Sequence, residues 1–247
     1  MESSSSKNGI RHNHSLKLKK ELSVTDLYHA RLIYLFLASL FIASLVTCNI
    51  IANKFVTVDL GFKVFTISVG ILPYPITFLI TDILSEIYGR KRTNHVVYAG
   101  FSVSIFVLII LWLGHSFQAI PSSPVQDDVY DIVFKNSWRV ILASMIAYLT
   151  AQLIDIRIFH FWKRVTKGKF LWVRNNFSTI SSQLVDTTLV VFVLFAGTLS
   201  FDQMTHFIWD GWLFKALIAL LDTFLIYGAI HYFKRRFNLR PGEEIEI

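Results

Sequence analysis

The chain has 247 residues, 53% of them hydrophobic and only 17% charged, well under the quarter of charged residues usual in a soluble domain. Several apolar runs reach the roughly 20 residues needed to cross a bilayer, which excludes a soluble globular protein and points to an all-α integral membrane protein. The net charge of +7 does not imply a nucleic-acid partner, because the basic residues lie in tails and alternate connections rather than on one soluble face. A single cysteine, Cys48, excludes an intrachain disulfide and any cysteine-built metal site.

Residues 1–28 hold a serine run and scattered Lys, Arg and His, with no short apolar core of a cleaved signal peptide. They read as a disordered cytoplasmic tail. Residues 29–235 are expected to form a six-helix transmembrane domain, and 236–247 a second cytoplasmic tail. The first span is placed at about 32–51; Asn53, Lys54 and a Val/Thr/Phe-rich loop follow, which suits a short hairpin or a re-entrant segment. The second span, about 67–88, carries Pro73 and Pro75 near its outer end, where a missing N–H and a fixed φ bend or interrupt a helix. Such breaks are tolerated at membrane depth where they line a cavity. The third span, about 96–114, has no acid, and a polar connection over 115–137 leads to spans at about 138–161, 177–199 and 210–232. Asp186 sits near the middle of the fifth. An acid there costs about 3 kcal/mol on insertion, against roughly 0.3–0.6 returned by each large aliphatic or Phe, so the segment still spans.

The charge pattern gives the orientation. Most of the 24 basic residues fall in the N-terminal tail, at Arg90–Arg92, in the connection from Lys163 to Arg174 and after Lys234, while Asp59, Asp127, Asp128, Asp131, Asp202 and Asp210 fall in the other connections. Both termini are therefore expected to be cytoplasmic.

Inside the spans, polar residues recur at helical spacing. Asp82 and Glu86 are four apart; Tyr148, Gln152 and Asp155 form one stripe, and Thr179, Gln183 and Asp186 another, with Ser182 beside it. Lys215 and Asp222 are seven apart on one face, and Gln152-Leu-Ile-Asp155 nearly repeats as Gln183-Leu-Val-Asp186. Buried amides and hydroxyls equally serve as interhelical glue, so Gln152 and the serines admit either role. Asp155 precedes Arg157, where a local ion pair or snorkelling accounts for it, and Glu86 beside Arg90 and Lys91 admits a helix-end salt bridge. Asp82, Asp186 and Asp222 have no nearby cation in sequence and are assigned to a cavity wall, since an ionised carboxylate facing lipid is untenable. No phosphate loop, zinc-binding helix pair or nucleophile–base arrangement is present. The expectation is a transporter, not an enzyme, with no cofactor and no metal.

The string Pro75-Ile-Thr-Phe78, followed by Asp82-x-x-x-Glu86-x-Tyr88-Gly89, resembles the signature of the queuosine precursor transporter family, also called the vitamin uptake transporter family. Asn53-Lys54, Gln183-x-x-Asp186-Thr187 and Leu221-Asp222-Thr223 resemble its other landmarks in order, with Phe224 standing where the family pattern has a proline; the likeness covers about residues 30–235. It implies a six-helix, multi-pass inner-membrane importer of 7-cyano-7-deazaguanine and 7-aminomethyl-7-deazaguanine, purine-like bases salvaged for tRNA modification. One carboxylate accepts both N1–H and the 2-amino group of a guanine-like edge, which rejects adenine-like bases. Asp186 or Glu86 is the candidate for that contact, with Gln183 and Asn53 completing the polar lining. Asp82 and Asp222 are pocket walls or protonatable coupling groups, and Lys54, Gln152, Asp155 and Lys215 are supporting residues. The alternative is a substrate-binding subunit of an ATPase-driven vitamin importer. A metal-dependent membrane enzyme fits less well, because the carboxylates lack the clustered spacing of such sites. The partners expected are the base and the bilayer, with a homodimer among the open assemblies.

Overall fold

The computed structural model describes residues 19–20, 22–52, 54–61, 63–134, 138–195, 197 and 199–247. The tail expected over residues 1–28 falls mostly outside these residues, as does Asn53.

A short strand β1 (Lys19–Lys20) precedes α1 (Val24–Ile50), which is capped by Ser23 accepting from the Asp26 N–H. The loop after α1 is the hairpin, not the re-entrant segment: β2 (Phe55–Asp59) and β3 (Val64–Ser68) pair antiparallel, with Val56 opposite Ile67 and Val58 opposite Phe65. Alternation puts Phe65 and Ile67 on one buried face. A 3-10 turn (Val69–Ile71) then leads into α2 (Tyr74–Ile87). The break falls at Pro73, which precedes the first helical residue, with Pro75 in the first turn where its absent N–H has no acceptor to lose. Gly70 permits the turn to close on α1, because a Cβ there would sit 2.5 Å from the Cys48 carbonyl oxygen.

Gly89, at φ +80°, makes the sharp corner into α3 (Arg90–Ser116). Helices α4 (Asp127–Phe134), α5 (Trp138–Val165), α6 (Leu171–Phe195) and α7 (Phe201–Phe237) follow. Helix α7 starts earlier than its apolar stretch because Ser200 and Gln203 form a reciprocal capping box. It ends at Asn238 in the left-handed conformation, and the chain returns so that β4 (Glu244–Ile245) pairs parallel with β1.

Among the described residues, four stretches are long and apolar enough to cross a membrane: Val24–Ile50, Val69–Ile87, Arg90–Ser116 and Phe201–Phe237. Helices α5 and α6 are as long but carry more polar side chains, and they pack mainly on each other. Helix α2 is the centre of the bundle. It contacts α1, α3, α5 and α7, and 61% of its span is buried against 22% in α1 and in α3. Its large apolar residues Phe78, Leu84 and Ile87 join Phe41, Phe159 and Ile226 in the core. The outer faces of the bundle expose Phe36, Phe106, Trp112, Phe224 and similar residues, as lipid-facing helices do. The molecule is an all-α, multi-pass membrane protein with one small hairpin.

Candidate functional site

A cavity of about 230 Å³ lies at the N-terminal end of α2. Its walls come from α1, α2, α3, α5, α6 and α7 and from the hairpin's exit: Cys48 of α1, Ser68 and Gly70, Tyr74 of α2, Phe101 of α3, Tyr148 of α5, Asp186 of α6 and Lys215 of α7. The volume is below the usual range of ligand sites, room for a small flat molecule rather than a peptide or a lipid.

One charged pair marks the wall. Lys215 Nζ donates to Asp186 Oδ2 at 2.7 Å and to Thr187 Oγ1 at 3.2 Å, and Tyr74 Oη donates to the same Asp186 oxygen at 2.6 Å. Lys215 also sits 4.6 Å from the centre of the Tyr74 ring, a cation–π placement. Tyr74 meets Tyr148 edge-on at 5.5 Å. Asp186 has no cation near it in sequence, and its partner comes from another helix: Lys215 turns to Asp186 rather than to Asp222 on its own helix face. A lysine stem of four carbons reaches across the α6–α7 seam that helix spacing alone does not describe.

A narrower cleft adjoins, lined by Tyr74, Phe78, Thr179, Gln183, Lys215 and Asp222. Gln183 is 3% exposed, and its Oε1 has no hydrogen-bond partner among the described residues. A buried, unpartnered amide oxygen costs about 1–3 kcal/mol, so its presence calls for a ligand or a water.

Deeper in the bundle, Asp82 of α2 and Asp155 of α5 lie side by side, close enough for their carboxyls to interact. Thr179 donates to Asp82 Oδ2 at 3.3 Å and Ser182 to Asp155 Oδ1 at 3.1 Å. The reading of Asp155 as a partner of Arg157 is corrected: Asp155 is fully buried toward α2 and α6, while Arg157 is exposed. Gln152 ties α5 to α2 by accepting from Thr81 at 3.1 Å, and donates to Tyr148 Oη of its own helix at 2.8 Å, the first bond being interhelical glue, one of the two roles open to it.

Glu86 is elsewhere, at the C-terminal end of α2. Arg174 Nε and Nη2 donate to its two oxygens at 3.2 and 2.7 Å, and Lys163 Nζ lies 3.6 Å away while also bonding Glu244 at 3.0 Å. The partners expected, Arg90 and Lys91, are exposed. Arg174 is wholly buried and donates additionally to the Lys169 carbonyl. Such a bidentate fork fixes orientation as well as charge. Glu86 lines neither the cavity nor the cleft. Lys54 is exposed and Asn53 lies outside the described residues.

In sequence Arg174 and Lys163 stand only as charges of a connection. Their signal was Glu86 itself, because a buried carboxylate demands a cation, but nothing in sequence points to a residue 88 positions away. Tyr74, between Pro73 and Pro75, carries no signal of its own in the sequence and is a site residue that only the structure shows.

A family profile described as "Putative vitamin uptake transporter" matches residues 68–229, from the hairpin's exit through most of α7. The chain is 29% identical over 165 residues to a "Probable queuosine precursor transporter" of Bacillus subtilis, which covers 66% of this chain and 72% of that protein. It is 25% identical over 167 residues to a protein of the same description from Haemophilus influenzae, covering 65% and 67% respectively. No solved structure matches the chain. The matched region contains α2, the Asp186–Lys215 pair and the cleft between them, and with that span this chain belongs to the vitamin uptake transporter family.

Proposed function

We propose that this protein imports queuosine precursors, the bases 7-cyano-7-deazaguanine and 7-aminomethyl-7-deazaguanine, across the inner membrane, with six spans and both termini in the cytoplasm. The observation that carries the reading is Asp186: a carboxylate on a base-sized cavity, walled by two tyrosines and held by a single lysine. The relatives' descriptions favour the same substrate class.

The chemistry follows from the groups present. A guanine-like edge brings N1–H and a 2-amino group, and the Asp186 carboxylate accepts both when Lys215 and Tyr74 yield one oxygen. The displaced Lys215 ammonium then faces the O6 carbonyl, or the nitrile of the cyano base. Tyr74 and Tyr148 supply ring faces for stacking. Gln183 Oε1 awaits a donor one turn along α6. Adenine-like bases fail because they present an acceptor where the carboxylate needs a donor. Asp222 borders the path in the cleft.

Uptake of labelled base into cells expressing Asp186→Asn at wild-type levels tests the reading. A loss of about 1.5–3 kcal/mol in a charge-assisted contact corresponds to a roughly ten- to hundredfold drop in apparent affinity. Wild-type uptake ends the proposal. Purified protein in liposomes without ATP separates a self-sufficient carrier, which transports there, from a subunit that depends on an ATPase module, which does not.

A further inference from the structure

Each carboxyl of the Asp82–Asp155 pair keeps one oxygen with no donor among the described residues, Oδ1 of Asp82 and Oδ2 of Asp155. Asp82 is 2% exposed and Asp155 0%. No basic side chain bonds either of them among the described residues; the groups around them are hydroxyls, Thr179 donating to Asp82 and Ser182 to Asp155, with Ser178 also beside Asp155. The other two buried acids differ, with Arg174 and Lys163 on Glu86 and Lys215 on Asp186. Two ionised carboxylates in contact inside a low-dielectric bundle repel strongly. A single proton held between them removes the repulsion and supplies the donor that both orphan oxygens lack.

We propose that Asp82 and Asp155 form a proton-binding site that couples base import to the proton gradient, one proton bound and released in each transport cycle. The site adjoins the substrate path. Thr179 donates to Asp82 and also lines the cleft with Gln183 and Asp222, and that cleft shares Tyr74 and Lys215 with the cavity. Base entering beside Gln183 therefore moves a residue that bonds the pair directly. Asp222 of α7 acts on Asp82 from across the cleft, and Glu86, one turn away on α2, is matched by Arg174 of α6 and Lys163 of α5. Helix α1 brings Tyr34, which meets Tyr88 edge-on, and Cys48, which faces the cavity; α3 brings Arg92, whose guanidinium donates to the Ile245 carbonyl.

The coupling role rests on the reading of this chain as a base importer; the proton site itself does not, and two arms of the test keep them apart. In the first, the purified full chain is studied by infrared difference spectroscopy without substrate. A protonated-carboxyl band at neutral pH that disappears in the Asp82→Asn/Asp155→Asn double variant is expected; its absence from wild type, or its persistence in the double variant, overturns the site. In the second, proteoliposomes receive labelled 7-cyano-7-deazaguanine. An inward proton gradient should raise wild-type uptake several-fold, and Asp82→Asn and Asp155→Asn should lose that response while still exchanging base for base, which needs no net proton movement. A gradient response that survives in both variants, or wild-type uptake driven by sodium rather than pH, overturns the coupling. Wild-type liposomes that take up no base refute the substrate reading, and the infrared arm then decides the proton site alone.

Discussion

The two ends of α2 hold carboxylates in opposite ways. At its C-terminal end, about 18 Å from Tyr74 at 1.5 Å per residue, Glu86 is clasped by a planar arginine through two bonds, with a lysine behind it and the returning chain end closing over both. At its N-terminal end Asp186 meets one lysine and one tyrosine on a cavity wall. A guanidinium fork is rigid and bidentate, whereas an ammonium is a point charge on a flexible stem. The first arrangement holds helices together; the second can be opened by a competitor.

Breaking the clasp should have the largest effect on stability. Arg174→Ala removes both bonds of the fork and leaves the buried Glu86 only Lys163, at 3.6 Å and shared with Glu244, a loss of about 3 kcal/mol, read as a fall in thermal unfolding temperature in detergent. Glu86→Gln combined with Arg174→Met should recover most of it, because a neutral pair needs no counter-ion. If the double variant is no better than Arg174→Ala, the clasp is not what holds that end.

Opening the other end should act on transport instead. Lys215→Met removes the cation from Asp186 and its contact with Tyr74, and is expected to cut base uptake at least tenfold while costing only about 1–3 kcal/mol of stability, since the tyrosine hydroxyl still bonds the carboxylate. Uptake and unfolding measured on the same preparation would separate the two ends; an equal loss of both by Lys215→Met and Arg174→Ala would erase the contrast.

Lesser changes grade the comparison. Glu244→Gln weakens the Lys163 contact over Glu86 and should cost about 1 kcal/mol, consistent with a partly exposed charge pair, with uptake near wild type. The Lys63–Asp210 pair, between the hairpin and α7 on the surface, should matter least. Asp210→Asn is expected to shift stability by less than about 1 kcal/mol and to leave uptake unchanged.

Much of this was legible in the residues. The stripes of Tyr148–Gln152–Asp155 and Thr179–Gln183–Asp186 do face inward, because helical period fixes which residues share a face regardless of tertiary detail. The break at Pro73 and the hairpin follow from local backbone chemistry. What failed was pairing across sequence. Proximity in sequence pairs Asp155 with Arg157 and Glu86 with Arg90, yet buried side chains meet partners from other helices, and only packing decides which. Helix ends were also set too tightly around the apolar runs. Ser23 and Ser200 carry the helices past them, and the Ser200–Gln203 box was readable in the sequence.

The one thiol of the chain, Cys48, lies on the cavity wall at 7% exposure. The wild-type protein therefore carries a native reporter, with no competing cysteine to remove before labelling. A small membrane-impermeant maleimide applied from one side at a time should modify Cys48 from the side to which the cavity opens. Bound base should slow that labelling by occupying the same space, and the rate at each face would then follow the alternation of access as it happens.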